Sequence, residues 1–452
     1  MKMKRTAALV LTGLIVIGLL AGCSSKNGNG GTSENSSKET GSVYYLNFKP
    51  EVAEVWEEIA AEYTELTGVK VKVVTAASGG YESTLKSEIA KKNPPTLFQI
   101  NGPIGYESWK DYCLDLSDTN LYENLSDKDL AITGGDGVYG IPYVVEGYGI
   151  IYNDEIMQKY FALDDKAVDI TSAEEINDFD TLKAVVDDMT AKKDVLGIEG
   201  VFSSTSFSAG EDWRWQTHLA NVPIYYEYQD DGVTDKAQIA FTYSDNYKNI
   251  FDLYLNNSIT EPGLVGSKTV EDSMAEFALG KTAMVQNGNW GWSQISDVSG
   301  NVVEAENVKF MPIYTGIDKD SEQGLCIGTE NYFCVNSQIS EADQKATLDF
   351  LDWLTTSDEG KAHMTNDLGF ISPFSTFTGE EQPDDPLAKE VVRYMNDDSK
   401  TTVTWNFTSF PSQTFKDNFG ASLLQYAQSN KEWDDVVSDM KDDWAAEKAA
   451  TE

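Results

Sequence analysis

The thiol of Cys23 is the side chain whose setting implies chemistry most directly, because Leu20-Ala21-Gly22-Cys23 closes an apolar run at a position suited to cleavage and acylation. Lys2, Lys4 and Arg5 form a charged start, and the apolar run from Ala7 to Leu20 that follows is too short for a comfortable bilayer span. The pattern predicts a lipoprotein signal peptide over 1–22 and lipidation at Cys23. Residues 24–42 carry no apolar side chain, so 23–43 is expected to be a disordered tether. The working protein then begins near Tyr44, on the extracytoplasmic face of the cell membrane.

Few other residues have the spacing of reactive or metal-binding sites. The two histidines, His218 and His363, stand far apart and outside any His-Glu-x-x-His pattern, so no metal and no cofactor is expected, and both read as packed or surface residues. Cys113, Cys326 and Cys334 are an odd, scattered set that leaves only a bridge between Cys326 and Cys334 open. A formal net charge of −40 argues against nucleic acid as a partner and reads as a solvated surface.

The elements that must position any site are legible in the periodicity. Residues 43–48 alternate as a strand. Val52, Val55, Trp56, Ile59, Tyr63 and Leu66 recur at helical spacing before Gly68, and 69–74 alternates again. A helix over 81–91 and an apolar strand over 96–100 complete a βαβαβ unit, whose ligands gather at the carboxyl ends of its strands. Phe48, Tyr81 and Asn101 lie in or near those loops. Further helices are expected over 179–192, 246–256 and 342–355, and 362–444 reads as helix-dominated. Trp56 and Trp353 sit on apolar helical faces and are expected in the core. The length of 452 residues exceeds what one core usually serves, so two lobes are expected.

Three stretches carry a resemblance. The first, Tyr139-Gly140-Ile141-Pro142-Tyr143-Val144-Val145-Glu146-Gly147-Tyr148, sets two apolar strands around a carboxylate. The second runs from Phe277 through Gly280-Lys281-Thr282-Ala283-Met284 to Asn287-Gly288-Asn289-Trp290-Gly291-Trp292. The third runs from Gly324 through Glu330 and a helix to Gly369-Phe370-Ile371-Ser372-Pro373. In this order they resemble the family 1 extracellular solute-binding proteins of carbohydrate ABC importers, most closely the maltose/maltodextrin-binding branch.

That resemblance implies an α/β fold of the type II periplasmic-binding-protein clamshell, each lobe a mainly parallel sheet flanked by helices. It implies three hinge crossings, near 145–147, 315–324 and 356–360, dividing the chain into 44–145 with 316–356 and 146–315 with 357–452. It also implies a monomer that takes an oligosaccharide ligand to ABC permease transmembrane subunits, without enzymatic activity.

Carried over by resemblance, Glu146 is a hinge carboxylate accepting sugar hydroxyls, Trp290 a stacking aromatic, and Glu211 with Trp213 an acidic-aromatic pair in the second lobe. Lys49 matches a charged loop position, with Phe48 adding apolar surface. Trp405 and Phe415 compete for a late aromatic contact. Trp292, Asn287 and Glu330, within the quoted stretches, join Tyr81 and Asn101 as candidate contacts. Asn101-Gly102-Pro103 departs from the maltose pattern and leaves the sugar open. Two alternatives stay open: a polyol ligand, and a lipid-anchored glycoside hydrolase. The hydrolase would need paired carboxylates roughly 5–5.5 or 6.5–9.5 Å apart, and no motif marks such a pair.

Cys23→Ala should abolish stable membrane anchoring and leave ligand affinity intact, because the ligand contacts all lie beyond Tyr44. Fractionation of expressing cells checks this, and detergent-requiring association of the variant would reveal another anchor.

Overall fold

The computed structural model describes residues 41–451, apart from 78 and 380; the expected signal peptide, Cys23 and nearly all of the tether lie outside the described residues. Its strands are β1 (Val43–Asn47), β2 (Val71–Thr75), β3 (Leu97–Ile100), β4 (Ile132–Gly134), β5 (Gly137–Pro142) and β6 (Glu146–Asn153). They continue with β7 (Gly200–Phe202), β8 (Thr282–Gly288), β9 (Val308–Met311), β10 (Gln323–Gly328), β11 (Tyr332–Val335) and β12 (Thr401–Thr404). The predicted βαβαβ unit is present, with α1 (Ala53–Thr67) and α2 (Tyr81–Ile89) between its strands and α3 (Gly102–Trp109) following β3. On α1, Trp56, Ile59 and Tyr63 are buried, and the Trp56 ring meets Tyr45 edge-on at 4.9 Å.

The strands form two sheets, ordered β2-β1-β3-β11-β5-β4 and β12-β10-β6-β8-β7, with β9 also on β6. Each carries three antiparallel and two parallel pairings, so both are mixed where mainly parallel sheets were expected. β4 turns into β5 through two residues, which permits only an antiparallel hairpin, and β5 passes to β6, and β10 to β11, through three residues each, from one sheet to the other and not through a crossover helix within one sheet.

These links, 143–145 and 329–331, join the sheets, and a third runs between Phe374, packed in the first half, and Leu387, packed in the second. The second and third therefore lie downstream of the 315–324 and 356–360 positions that the resemblance implied. β10 belongs to the second sheet through its pairing with β6, and residues around 356–360 still pack with the first half.

Cys113, Cys326 and Cys334 are all buried and free. Cys326 lies in the second sheet and Cys334 in the first, which removes the bridge the sequence left open.

Sheet register decides what converges. β6 runs antiparallel to β8 from Tyr148↔Gly288 onward, so the start of one meets the end of the other. β10 ends with Gly328 opposite Glu146, and β12 runs parallel beside β10 with Thr404 opposite Ile327. Glu146, Trp290, Asn331 and Trp405 are thereby brought to one end of the second sheet. Facing it, β1 leads into Phe48-Lys49 and β3 into Asn101.

The halves also touch at their lips. A Cβ on Gly79 would stand 2.9 Å from the carbonyl oxygen of Gly210, and one on Gly102 would stand 2.9 Å from Thr408 Cβ. Both glycines have positive φ, 67° and 72°. A larger side chain at Gly79 should therefore hold the lips apart: Gly79→Val is expected to enlarge the radius of gyration in solution scattering, and an unchanged radius in a folded variant would show that the lips are not a closing contact.

Candidate functional site

Lys49 and Glu146 form the centre of the convergence. Asn47 holds the loop after β1, its Nδ2 donating to the Lys49 carbonyl at 2.7 Å and its Oδ1 accepting from the Lys49 N–H at 3.0 Å. The Lys49 ammonium so placed donates to Glu146 Oε1 at 2.7 Å and lies 3.5 Å from Glu51. Asn331 Nδ2, delivered by the link after β10, donates to Glu146 Oε2 at 2.9 Å. Both charged residues are nearly out of solvent, Lys49 at 4% and Glu146 at 2% exposure. Burial pushes the Glu146 carboxyl up from its ordinary value, and Lys49 only partly opposes that. Burial works against the Lys49 charge, but Glu146 and Glu51 outweigh it and hold the ammonium above its usual range.

Around this pair stand aromatic rings. The Lys49 ammonium sits 5.7 Å from the Trp290 ring centroid. Trp290 lies 6.1 Å from Trp213, 5.5 Å from His218 and 6.4 Å from Trp405, each tilted or edge-on to it. His218 stacks on Tyr148 at 4.3 Å and contacts Phe407 at 5.0 Å. Burial, reinforced by the charges of Arg214 and Lys416, depresses the His218 pKa well below the ordinary imidazole value, so the ring is neutral at pH 7. Trp290 and Trp213 remain half-buried, so an incoming ring can still reach them.

Of the sequence-predicted residues, Lys49, Glu146, Trp213, Trp290 and Trp405 come together here. Glu330 borders the group from the 329–331 link, its carboxyl raised to about 7 by burial. Asn101 precedes α3 on the facing half, and its Oδ1 is buried with no partner among the described residues.

Others are committed to structure. Phe415 is fully buried, with Phe410, Phe419 and Trp444 against it, whereas Trp405, 8% exposed, lies beside Trp290. Tyr81 is 4% exposed and its hydroxyl accepts from the Gln99 N–H at 2.7 Å, while Phe48 packs edge-on against its ring at 5.3 Å. Asn287 is 1% exposed and spends its Nδ2 on Met274 Sδ and Gln294 Oε1. Glu211 Oε2 accepts the N–H of Val270, the first residue of the helix Val270–Ala278. Trp292 is half-buried, packs against the cluster that includes Val270, Met274 and Ile295, and borders the same pocket as Trp290.

Sequence reasoning passed over His218 and Asn331. His218 lies in a π-helical turn, Arg214–Leu219, a local distortion often found at functional positions, but nothing in the residue pattern announces it. Asn331 gains its role only through the short link that carries it onto Glu146.

A pocket of roughly 300 Å³ opens beside Glu146 and Trp290 and extends to Trp292, Phe370 and Asp385. Among the described residues no group of three or more metal-ligating side chains is assembled, and no helix is long and apolar enough to cross a membrane.

The family model described as bacterial extracellular solute-binding protein matches residues 58–390. No curated protein matches the chain in sequence. Among solved structures, a chitin oligosaccharide binding protein is similar at 19% identity, covering 91% of this chain and 99% of that one, with a TM-score of 0.70. RafE in complex with raffinose is similar at 18% identity, 90% and 100% coverage and a TM-score of 0.67. Maltose-bound MalE3 of T. maritima is similar at 14% identity, 89% and 98% coverage and a TM-score of 0.64. At such identities the likeness establishes the fold, a two-lobed α/β architecture.

The buried pair generates a signed prediction. Lys49→Met leaves Glu146 buried without its cation, which should cost about 3–5 kcal/mol of stability at neutral pH. The stranded carboxyl takes up a proton in the folded state but ionises at its ordinary value when unfolded. The penalty should therefore shrink as pH falls toward 4.5 and grow above it. Denaturant unfolding at pH 5 and pH 8 checks this; a pH-independent penalty would show that Glu146 keeps its charge without Lys49.

Proposed function

The chain belongs to the bacterial extracellular solute-binding proteins, and from that premise we propose that it captures an oligosaccharide between its two halves and delivers it to the membrane subunits of an ABC importer. The observation that carries this reading is the juxtaposition of half-exposed indoles with the polar set Lys49, Glu146 and Asn331. A pyranose presents an apolar C–H face that packs on an indole and a rim of hydroxyls that exchange hydrogen bonds with carboxylate, amide and ammonium groups. Trp290 and Trp213 supply the first kind of surface, and the polar set supplies the second. The neutral His218 ring behind them adds stacking surface without a charge to desolvate.

The use of Glu146 supports binding without chemistry. Each of its oxygens already accepts a hydrogen bond, from Lys49 and from Asn331, which suits a fixed acceptor better than a proton donor. The solved structures named above with chitin oligosaccharide, raffinose and maltose in their descriptions share the architecture, which supports a saccharide ligand. Closure is driven by whatever affinity the ligand has for the closed state beyond the open one. We further propose attachment by acyl chains at Cys23 and action as a monomer.

Isothermal titration of the purified chain against neutral oligosaccharides and polyols should give saturable binding with a change in tryptophan fluorescence and no cleavage products. Trp290→Ala should weaken binding by about 2–4 kcal/mol. Hydrolysis products would overturn the binding-only reading, and unchanged affinity in the variant would remove Trp290 from the site.

A further inference from the structure

The pocket beside the ion pair has a chemistry of its own. Its walls include Trp290 and Trp292 together with the carboxylates Glu51, Glu146, Asp367, Asp384 and Asp385, and among the described residues no lysine, arginine or histidine itself lines it. The carboxylates are unequally compensated: Lys49 lies 2.7 Å from Glu146 and 3.5 Å from Glu51, His363 lies 2.6 Å from Asp367 and Lys389 lies 3.0 Å from Asp384, whereas no cation comes within 4 Å of Asp385 among the described residues. Asp385 receives only backbone N–H groups, capping the helix Pro386–Met395, and burial raises its carboxyl to about 7. A second feature is independent of the acids. Asn289, 3% exposed and bordering the same pocket, lends Oδ1 to the Gly147 N–H at 2.9 Å, while its Nδ2 donates to nothing among the described residues.

We propose that this pocket is a subsite for one sugar unit bearing a protonated amine, reached from the main cleft across the shared ring of Trp290, so that the ligand class is an amino-sugar-containing saccharide. Aromatic faces and an uncompensated carboxylate suit an ammonium, the Asn289 amide suits a hydroxyl oxygen, and the volume is at the small end for ligand pockets and suits one ring rather than a chain. The proposal rests on the saccharide reading of the cleft.

The test is titration calorimetry of the full chain and of its Asp385→Asn variant, whose asparagine keeps the helix cap. The probes are pairs that differ at the amine: glucosamine and glucose, galactosamine and galactose, and the chitosan tetrasaccharide and cellotetraose, with putrescine as a non-sugar amine. The amine-bearing member of at least one pair should bind about tenfold more tightly, the worth of one hydrogen bond to a charged group. That preference should fall to parity in Asp385→Asn, with folding verified by circular dichroism. The proposal is overturned if no pair shows the preference, if it survives in Asp385→Asn, or if putrescine binds as tightly as the preferred amino sugar. Neutral sugars that bind without an amine preference would remove only the subsite. Failure of every saccharide here and in the neutral panel would remove the saccharide reading itself.

Discussion

The interaction on which the rest of the site depends is the buried contact between Lys49 and Glu146. Two charges withdrawn from water cost several kcal/mol each unless their geometry is good and their remaining hydrogen-bonding capacity is met. Here Asn47 fixes the lysine loop, Asn331 occupies the second carboxylate oxygen, and Glu51 adds a weaker contact. The pair joins elements from the two sheets, since Lys49 follows β1 and Glu146 begins β6. Any relative motion of the two halves must therefore pivot about this contact or break it, and pivoting is far less costly.

Around that fixed point the protein arranges surfaces that remain adaptable. Trp290 and Trp213 are half-buried, while His218, Tyr148 and Phe407 form a buried aromatic layer behind them. Keeping His218 neutral avoids a second charge to desolvate beside Lys49 and Arg214. Arg214 is itself fully buried, donating to the Gln286 carbonyl and to the hydroxyls of Ser206 and Ser273. The outcome is a site with a rigid polar floor and aromatic walls, a division of labour that fits ligands with one apolar face and a polar rim. The nearby pocket shares Glu146 and Trp290 with this site but differs at its far wall, where Asp385 has no cation within 4 Å among the described residues.

Much of this was legible in the residues. The βαβαβ start, the helical face of Trp56, Ile59 and Tyr63, and the apolar strands flanking Glu146 follow from periodicity, because burial on one side of a helix or both sides of a strand imposes a repeat on the sequence. The pattern around Glu146 and the Asn-Gly-x-Trp-x-Trp segment was enough to suggest the family, and the family match over 58–390 agrees with the class they implied.

What the chain order could not convey is which residues meet across long separations. Phe415 and Trp405 are equally plausible aromatics in sequence, yet Phe415 faces the helix-packed interior and Trp405 lies beside Gly328, a difference made by β12 pairing with β10. Asn287 and Asn289 are two residues apart near the end of one strand, but different neighbours, Met274 and Gly147, decide what each can bind. The sheets proved mixed because strands enter each of them from the other sheet as well as through crossover helices, and which strands then pair is not visible in the chain order. Local periodicity thus determined the elements, and the resemblance of three stretches the class. Register and long-range packing decided the ion pair's partners, the neutrality of His218 and the acidic pocket, because hydrogen-bond satisfaction and desolvation depend on neighbours that sequence proximity does not specify.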